Sequence, residues 1–142
     1  MNALATVCVV DDDLSVLKGL SRLCAAWGYA VRPFSTAREF LEHLGSKESD
    51  VGCVVLDVHL PGMSGLELQA ELASRHLWVP IVFVTGAGDE TVRSRALADG
   101  AVDFLEKPFD HLELLHAVQQ AMARGRETLS TAGTERYPSR HA

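Results

Sequence analysis

The run from Cys53 to Asp57 (CVVLD) most constrains how this 142-residue chain folds. Four consecutive apolar residues between turn residues are typical of a strand buried on both faces, and such strands belong to parallel sheets covered by helices. In open parallel sheets, the functional groups lie just beyond the carboxyl ends of the strands. Asp57 holds that position, so we predict that a functional site forms around its carboxylate.

Strand-helix units recur along the rest of the chain. Apolar runs at 6–10, 29–34, 81–85 and 102–106 predict four more strands, and the segments between them carry apolar residues at helical spacing. Pro33 cannot donate a ladder hydrogen bond, which favours an edge position for the 29–34 strand. Five such alternations predict an α/β fold: a parallel sheet with right-handed crossovers and helices on both faces.

The local signals also predict helix ends and helix faces. Residues 45–52 are polar and predict a loop, and Gly28 and Gly100 are placed to end helices. The predicted N-caps are Asp13, Ser35, Ser64, Asp89 and Asp110. Leu66, Ala70 and Ala73, with Leu68 and Leu72 beside them, mark the third helix, and the predicted inner face of the last is Leu112, Leu115, Val118 and Met122.

Composition and charge narrow the class of protein. A chain that is 47% hydrophobic and 23% charged is typical of a globular protein. We predict one domain over residues 1–126 and a flexible tail or truncated linker over 127–142, where the apolar pattern stops. The net charge of −6 argues against direct nucleic-acid binding. Without an apolar run of about 20 residues or a secretory signal, we expect a cytoplasmic chain and no membrane partner.

Polar side chains follow four of the predicted strands. Asp11 and Asp12 follow the first strand, Asp57 the third, Thr85 the fourth and Lys107 the fifth. Because the carboxyl ends of parallel strands share one edge, these side chains are expected to meet. Crowded carboxylates repel each other unless a cation offsets them, and oxygen ligands favour Mg²⁺ over Zn²⁺. Asp57 is then a candidate nucleophile that forms an acyl phosphate, with Lys107 and Thr85 contacting phosphoryl oxygens.

The same residues carry a resemblance to a known family. The segments VVDDD, VVLDVHLPGMSGLEL, IVFVTG and AVDFLEKPF resemble those of response-regulator receiver domains, over about residues 5 to 125. The resemblance implies a CheY-like fold with strand order 2-1-3-4-5. It also implies that Asp57 accepts phosphate from a sensor histidine kinase, in a two-component signal transduction system. The chain is then a phosphorylation-controlled switch that takes part in its own phosphotransfer and dephosphorylation, and not a conventional enzyme.

Individual roles are carried over by the resemblance. Asp11, Asp12 and Asp57 match the family's Mg²⁺ ligands, and the backbone carbonyl of His59 matches a further protein ligand. Thr85 and Phe104 match the switch residues, and Lys107 matches the phosphate-contacting lysine. The Lys107–Pro108 peptide is expected to be cis. Leu17 stands where many relatives have a basic residue, and we expect it to be partly exposed, either without function or as a kinase contact.

The sequence of these segments is most similar to that of FixJ-type regulators, which usually carry a C-terminal helix-turn-helix domain. None follows here, so the sequence is either a stand-alone receiver or a fragment. The face made by the fourth helix, fifth strand and fifth helix is expected to form a homodimer or bind a partner.

Two other function classes stay open at this stage. Asp11-Asp12-Asp13 resembles the start of haloacid-dehalogenase-type phosphatases, with Asp11 as nucleophile, although their late acidic pair is not evident. A receiver-like interaction module that never accepts phosphate is the other alternative.

Overall fold

The computed structural model describes residues 6–46, 49–86 and 88–130, with side chains through residue 125. Over these ranges the chain alternates five strands with five helices. In chain order the elements are β1 (Thr6–Val10), α1 (Leu14–Ala26), β2 (Ala30–Phe34), α2 (Ala37–Leu44), β3 (Val51–Leu56), α3 (Gly65–Ser74), β4 (Ile81–Thr85), α4 (Glu90–Ala98), β5 (Asp103–Glu106) and α5 (His111–Ser130).

The strands described here form a single sheet in the order β2-β1-β3-β4-β5, and every pair is parallel. The sheet order and the α/β class are those predicted. Val10, the last residue of β1, pairs with Phe34 on one side and Leu56 on the other. The carboxyl ends of the three strands are therefore level, and the residues that follow them start from one edge.

A hydrophobic core covers each face of the sheet. Alternate strand residues contribute to opposite faces, as the period of two requires. One core joins the strands to α2, α3 and α4, and its large members include Phe40, Phe83 and Leu68. The other joins them to α1 and α5 through residues such as Leu20 and Leu114. Burial on both faces explains why β1, β3 and β4 are continuously apolar in sequence.

Side-chain caps begin the helices, as the sequence predicted with one exception. Asp13 accepts from the backbone N–H of Ser15 at 2.9 Å, and Ser64 forms a capping box with Glu67. Asp89 accepts from Val92 N at 2.9 Å. Each cap satisfies an N–H that has no partner within its own helix.

The exception is the cap of α2. Ser35 was the predicted N-cap, but the N-cap is Thr36, whose hydroxyl accepts from Glu39 N at 3.1 Å. Ser35 instead donates its backbone N–H to the Glu39 carboxylate at 3.1 Å. Serine and threonine are both good N-cap residues. Glu39 bonds to both, donating its N–H to Thr36 and accepting from Ser35 N, and this pair of hydrogen bonds makes Thr36 the N-cap.

Two predicted helix faces were wrong in part, although Val118 and Met122 of α5 are buried as predicted. Leu112 is 69% exposed, and the inner face of α5 begins at Leu114. Ala70 and Ala73 are exposed, and Leu68 and Leu72 form the buried stripe of α3.

The predicted exposure of Leu17 was also wrong. Leu17 is buried at 8% exposure, and Leu14, at the start of the same helix, is the exposed leucine at 63%. A kinase contact through Leu17 is therefore not supported.

Element boundaries shift by a few residues from the prediction. β3 starts at Val51, inside the segment predicted as loop. α5 continues to Ser130, past the predicted domain boundary at residue 126, and the rest of the predicted tail, 131–142, lies outside the described residues.

β2 is an edge strand, as Pro33 suggested. The carbonyl of Phe34 accepts from Asp11 N at 3.2 Å, so the peptide groups of Phe34 face β1. Because neighbouring residues of a strand point their peptide groups to opposite sides, Pro33 lacks its N–H on the outer side of the sheet.

The three cysteines are buried free thiols, as expected. Burial raises the pKa of Cys8 to about 12 and that of Cys24 to about 11, so both stay protonated at neutral pH. Among the described residues, no helix is long and apolar enough to cross a bilayer.

Candidate functional site

Three carboxylates meet at the carboxyl ends of β1 and β3. One oxygen each from Asp11, Asp12 and Asp57 lie within 4.8 Å of one another. Asp11 is fully buried, Asp57 is 8% exposed and Asp12 faces solvent. The pocket is therefore open on the Asp12 side, which gives a ligand a route to Asp57.

Backbone hydrogen bonds between strands fix these carboxylates. Asp57 N donates to the carbonyl of Val10 at 3.1 Å, which locks the end of β3 to the end of β1. Asp11 Oδ1 accepts from the backbone N–H of Asp13 at 2.9 Å, so the acidic run turns directly into α1. Asp13 itself is the helix cap, as its position predicted, and takes no part in the cluster.

Lys107 brings a positive charge to the carboxylates. Its Nζ lies 3.2 Å from Asp11 Oδ2 and 4.0 Å from Asp57 Oδ2. Lys107 N donates to the carbonyl of Thr85 at 2.8 Å, which continues the β4–β5 pairing and aims the side chain across the sheet edge. The Lys107–Pro108 peptide is cis, as expected. The sheet thus brings together side chains from positions 11, 12, 57 and 107.

Burial is the main influence on the charge of Asp57. It raises the pKa of this carboxyl above its usual range, because the charged form loses solvation. A hydrogen bond from His59 N at 3.2 Å opposes the rise, the negative charge of Asp11 adds to it, and Lys107 lowers it. The charged form of Asp57 is therefore destabilised in the folded protein, and a bound cation would reduce this free-energy cost.

The donor set fits a hard divalent cation. Carboxylate oxygens without cysteine or imidazole ligands are what Mg²⁺ prefers, and Mg²⁺ usually keeps several waters. Of the three carboxylates, Asp12 is exposed, Asp57 is slightly exposed and Asp11 is fully buried.

Thr85 and Phe104 lie on β4 and β5, the two strands next to β3 on the side away from β1. Thr85 ends β4 and is fully buried, and Phe104 in β5 is 2% exposed. The Phe104 ring centroid is 6.0 Å from that of Phe83. A Cβ built on Gly88 would lie 2.7 Å from Phe104 Cζ and 3.0 Å from Thr85 Cγ2, so glycine leaves the room that the ring occupies.

The sequence analysis did not identify Gly65 and Arg93, which lie against the backbone of site residues. A Cβ built on Gly65 would collide with the backbone carbonyl of Asp57 and approach Phe83 Cε1 to 3.0 Å. Arg93, on α4, donates from Nη1 to the carbonyl of Phe104 at 2.9 Å. The glycine was visible in the PGMSG turn, but its close contact was not. Nothing local in the sequence indicates the partner of Arg93.

A protein-family profile matches most of the chain. The profile described as "Response regulator receiver domain" matches residues 7–119. Nodulation protein W of Bradyrhizobium diazoefficiens is 48% identical over 124 residues, which are 87% of this chain and 53% of that protein. Transcriptional regulatory protein FixJ of Azorhizobium caulinodans is 40% identical over 119 residues, 84% of this chain and 56% of that protein. The chain spans about half the length of these curated relatives.

Solved structures give the same result for the fold. The response regulator StyR superimposes with a TM-score of 0.84 at 43% identity, covering 93% of this chain and 66% of that one. The FixJ-N crystal structure superimposes with a TM-score of 0.77 at 33% identity, covering 87% of this chain and 96% of that one.

Proposed function

Because the chain belongs to the response regulator receiver domain family of two-component systems, we propose that Asp57 accepts a phosphoryl group from a sensor histidine kinase. In this step an oxygen of Asp57 attacks phosphorus. The phosphorus–nitrogen bond of a phosphohistidine breaks, and the imidazole keeps the electron pair and takes up a proton. The observation that carries the proposal is the position of Asp57: it is nearly buried, yet it borders an open acidic pocket beside Lys107.

Asp11, Asp12 and Asp57, with the backbone carbonyl of His59, would hold a Mg²⁺ ion. When bound, the ion would neutralise charge on the carboxylates and on the incoming phosphoryl oxygens. The exposed position of Asp12 leaves space for water ligands on that side. Asp11 accepts hydrogen bonds from Asp13 N and Lys107 Nζ, and these fix its carboxylate at the pocket.

Lys107 and Thr85 would contact the phosphoryl group. The Lys107 ammonium is already 4.0 Å from Asp57 Oδ2, within reach of a phosphoryl oxygen on that carboxylate. A phosphoryl group adds roughly 1.5 to 2 negative charges, so a nearby cation is needed for it to persist. Thr85 ends the neighbouring strand, and its hydroxyl would hydrogen-bond a second phosphoryl oxygen. The same groups would take part in the later hydrolysis of the acyl phosphate by water.

Thr85 and Phe104 would transmit the change. Movement of Thr85 toward the phosphoryl group opens space beside it, and Phe104 is the ring that packs there. We propose that the face of α4, β5 and α5 then changes shape and forms a homodimer or binds a partner. A phosphoryl group shifts this balance only by its different interaction with the two states.

The kinase would dock beside the pocket. A groove of about 420 Å³ runs between α1 and the start of α5, and its lining includes Val16, Leu20, Leu23, Pro108 and Phe109. Lys107 also lines this groove, so a segment bound there would lie next to the lysine that neighbours Asp57. An apolar groove next to the acceptor suits a helix of the kinase that presents its phosphohistidine.

The relatives suggest how the site is used in a longer protein. The matched segment makes up 53% of Nodulation protein W and 56% of FixJ, and FixJ and TdiR are named transcriptional regulatory proteins. We propose that the receiver controls a C-terminal helix-turn-helix output domain, and that it acts in the cytoplasm, where such domains meet both kinase and DNA.

Labelling with a small phosphodonor tests the proposed acceptor. The purified chain with acetyl phosphate and Mg²⁺ should gain one phosphoryl group, seen as about 80 Da by mass spectrometry, and Asp57→Asn should gain none. Asp99→Asn, which removes an exposed carboxylate at the end of α4, should be labelled like the parent chain. Labelling of the Asp57→Asn chain at the parental rate would place the acceptor elsewhere.

A further inference from the structure

The helix α4 has few apolar contacts with the rest of the protein. Of its nine residues, all of which the structure describes, Ala96 alone is buried, and Val92 and Leu97 are partly buried against the core. Because this apolar contact is limited, polar contacts also contribute to fixing the position of α4. Such an element is a natural place for a conformational change.

One polar contact holds the second half of α4. Gln69, a buried residue of α3, donates its side-chain N–H to the carbonyl of Ala96 at 3.1 Å. This carbonyl also accepts from Ala101 N at 3.0 Å. The end of α4 is therefore fixed against α3 and the following turn.

The other contact joins α4 to β5 through Arg93. Its Nη1 donates to the carbonyl of Phe104 at 2.9 Å, and its Cζ lies 6.0 Å from the centroid of the Phe104 ring. One guanidinium thus contacts both the backbone and the aromatic face of the same residue. The ring also packs close to Gly88, where a Cβ would lie 2.7 Å from its Cζ. Because of this arrangement, the ring cannot turn outward without losing the cation–π contact with Arg93.

We propose that Arg93 is a positioning residue of the switch: it couples α4 to the buried orientation of the Phe104 ring. This inference rests on the proposed function, in which the buried ring accompanies the phosphorylated state of Asp57. Arg93 contacts Phe104 while its ring is buried, so Arg93 stabilises that orientation. By thermodynamic linkage, whatever favours the buried ring also favours phosphoryl binding at Asp57.

The test measures binding of beryllium fluoride, which mimics a phosphoryl group on a carboxylate, by calorimetry with Mg²⁺ present. Arg93→Ala should weaken binding about five- to tenfold, as expected for one charged hydrogen bond together with an exposed cation–π contact. Arg95→Ala is the matched control, because it removes the same charge from an exposed position on the same helix. It should change binding less than twofold.

A double-mutant cycle shows whether Arg93 acts through the ring. Phe104→Leu keeps the backbone carbonyl that Arg93 contacts and removes the ring, so in this background Arg93→Ala should weaken binding about two- to fivefold less than in the parent chain. Equal effects of the two arginine variants, tighter binding by Arg93→Ala, or an undiminished effect in the Leu background would each overturn the proposal. Failure of the parent chain to bind beryllium fluoride would instead count against the proposed function, so the two failures are distinguishable.

Discussion

Lys107 Nζ donates a hydrogen bond to Asp11 Oδ2 at 3.2 Å, although 96 residues separate them in the chain. The contact joins the carboxyl end of β5 to that of β1, across two intervening strands. Asp11 is fully buried, so the ammonium offsets a charge that water does not reach. A phosphoryl group on Asp57 would therefore compete with Asp11 for the Lys107 ammonium.

Replacing Lys107 should slow phosphorylation. Lys107→Ala removes the cation that lies beside Asp57, and a hydrogen bond to a charged group contributes about 1.5–3 kcal/mol, or roughly ten- to a hundredfold in rate if it forms in the transition state. The initial rate of labelling by acetyl phosphate measures this. Lys18→Ala, at an exposed position on α1, should label at the parental rate. Equal rates for Lys107→Ala and the parent would exclude a role in phosphoryl transfer.

Mg²⁺ should stabilise the folded chain. A ligand that binds only the folded state at ten times its dissociation constant adds about 1.4 kcal/mol. We therefore expect a higher melting temperature with Mg²⁺, by a few degrees, in differential scanning calorimetry. Asp12→Asn should reduce the rise, whereas Asp99→Asn should not. A rise that is independent of Asp12 would indicate nonspecific binding.

Asp57→Asn should raise stability at neutral pH when Mg²⁺ is removed. The raised pKa of Asp57 means that the folded chain binds this proton more tightly than the unfolded chain. Ionisation of Asp57 therefore destabilises the fold as the pH rises above about 3.9, and the cost is complete above the folded pKa. The gain from asparagine should be present at pH 7.5 and shrink toward pH 4. Melting curves in EDTA would show this, and a gain independent of pH would contradict it.

Gly65→Ala should destabilise the chain and disturb the site. The new methyl would press on the Asp57 carbonyl and on Val58 Cα, which is 3.0 Å away, and overpacking of this kind costs about 1–3 kcal/mol. Gly19→Ala is the contrast: it lies in α1 with nothing within 4 Å of its Cβ, and should gain about 0.5–1 kcal/mol. Urea denaturation measures both. A neutral Gly65→Ala would show that the turn before α3 adapts.

The elements of the sheet could be predicted because their signals are strong. β1, β3 and β4 are buried on both faces, so their sequences are continuous apolar runs whose ends mark the positions of Asp11, Asp57 and Thr85. Once the strands are parallel, the topology brings those ends together. The candidate cluster of carboxylates and Lys107 follows from that reasoning alone.

Helix faces and long-range polar contacts were harder to predict. Leu112 fits an apolar stripe at helical spacing, but the buried face of α5 passes through Leu114 and Val118, and Leu112 lies outside it at 69% exposure. Ser35 and Thr36 are equivalent caps by residue type. Gln69 and Arg93 read as ordinary surface residues, because their partners are backbone carbonyls 27 and 11 residues away. Only the folded arrangement shows what they contact.

The proline in β2 has a consequence for solubility. The outer side of β2 is an unpaired strand edge, on which a β-segment of another molecule could assemble. Pro33 removes one donor from the middle of that edge, so an added strand would leave a carbonyl without its bond. Addition of strands to the sheet, the first step of many aggregates, is thereby disfavoured at β2. We therefore expect any contact between copies of this protein to form at surfaces other than this edge.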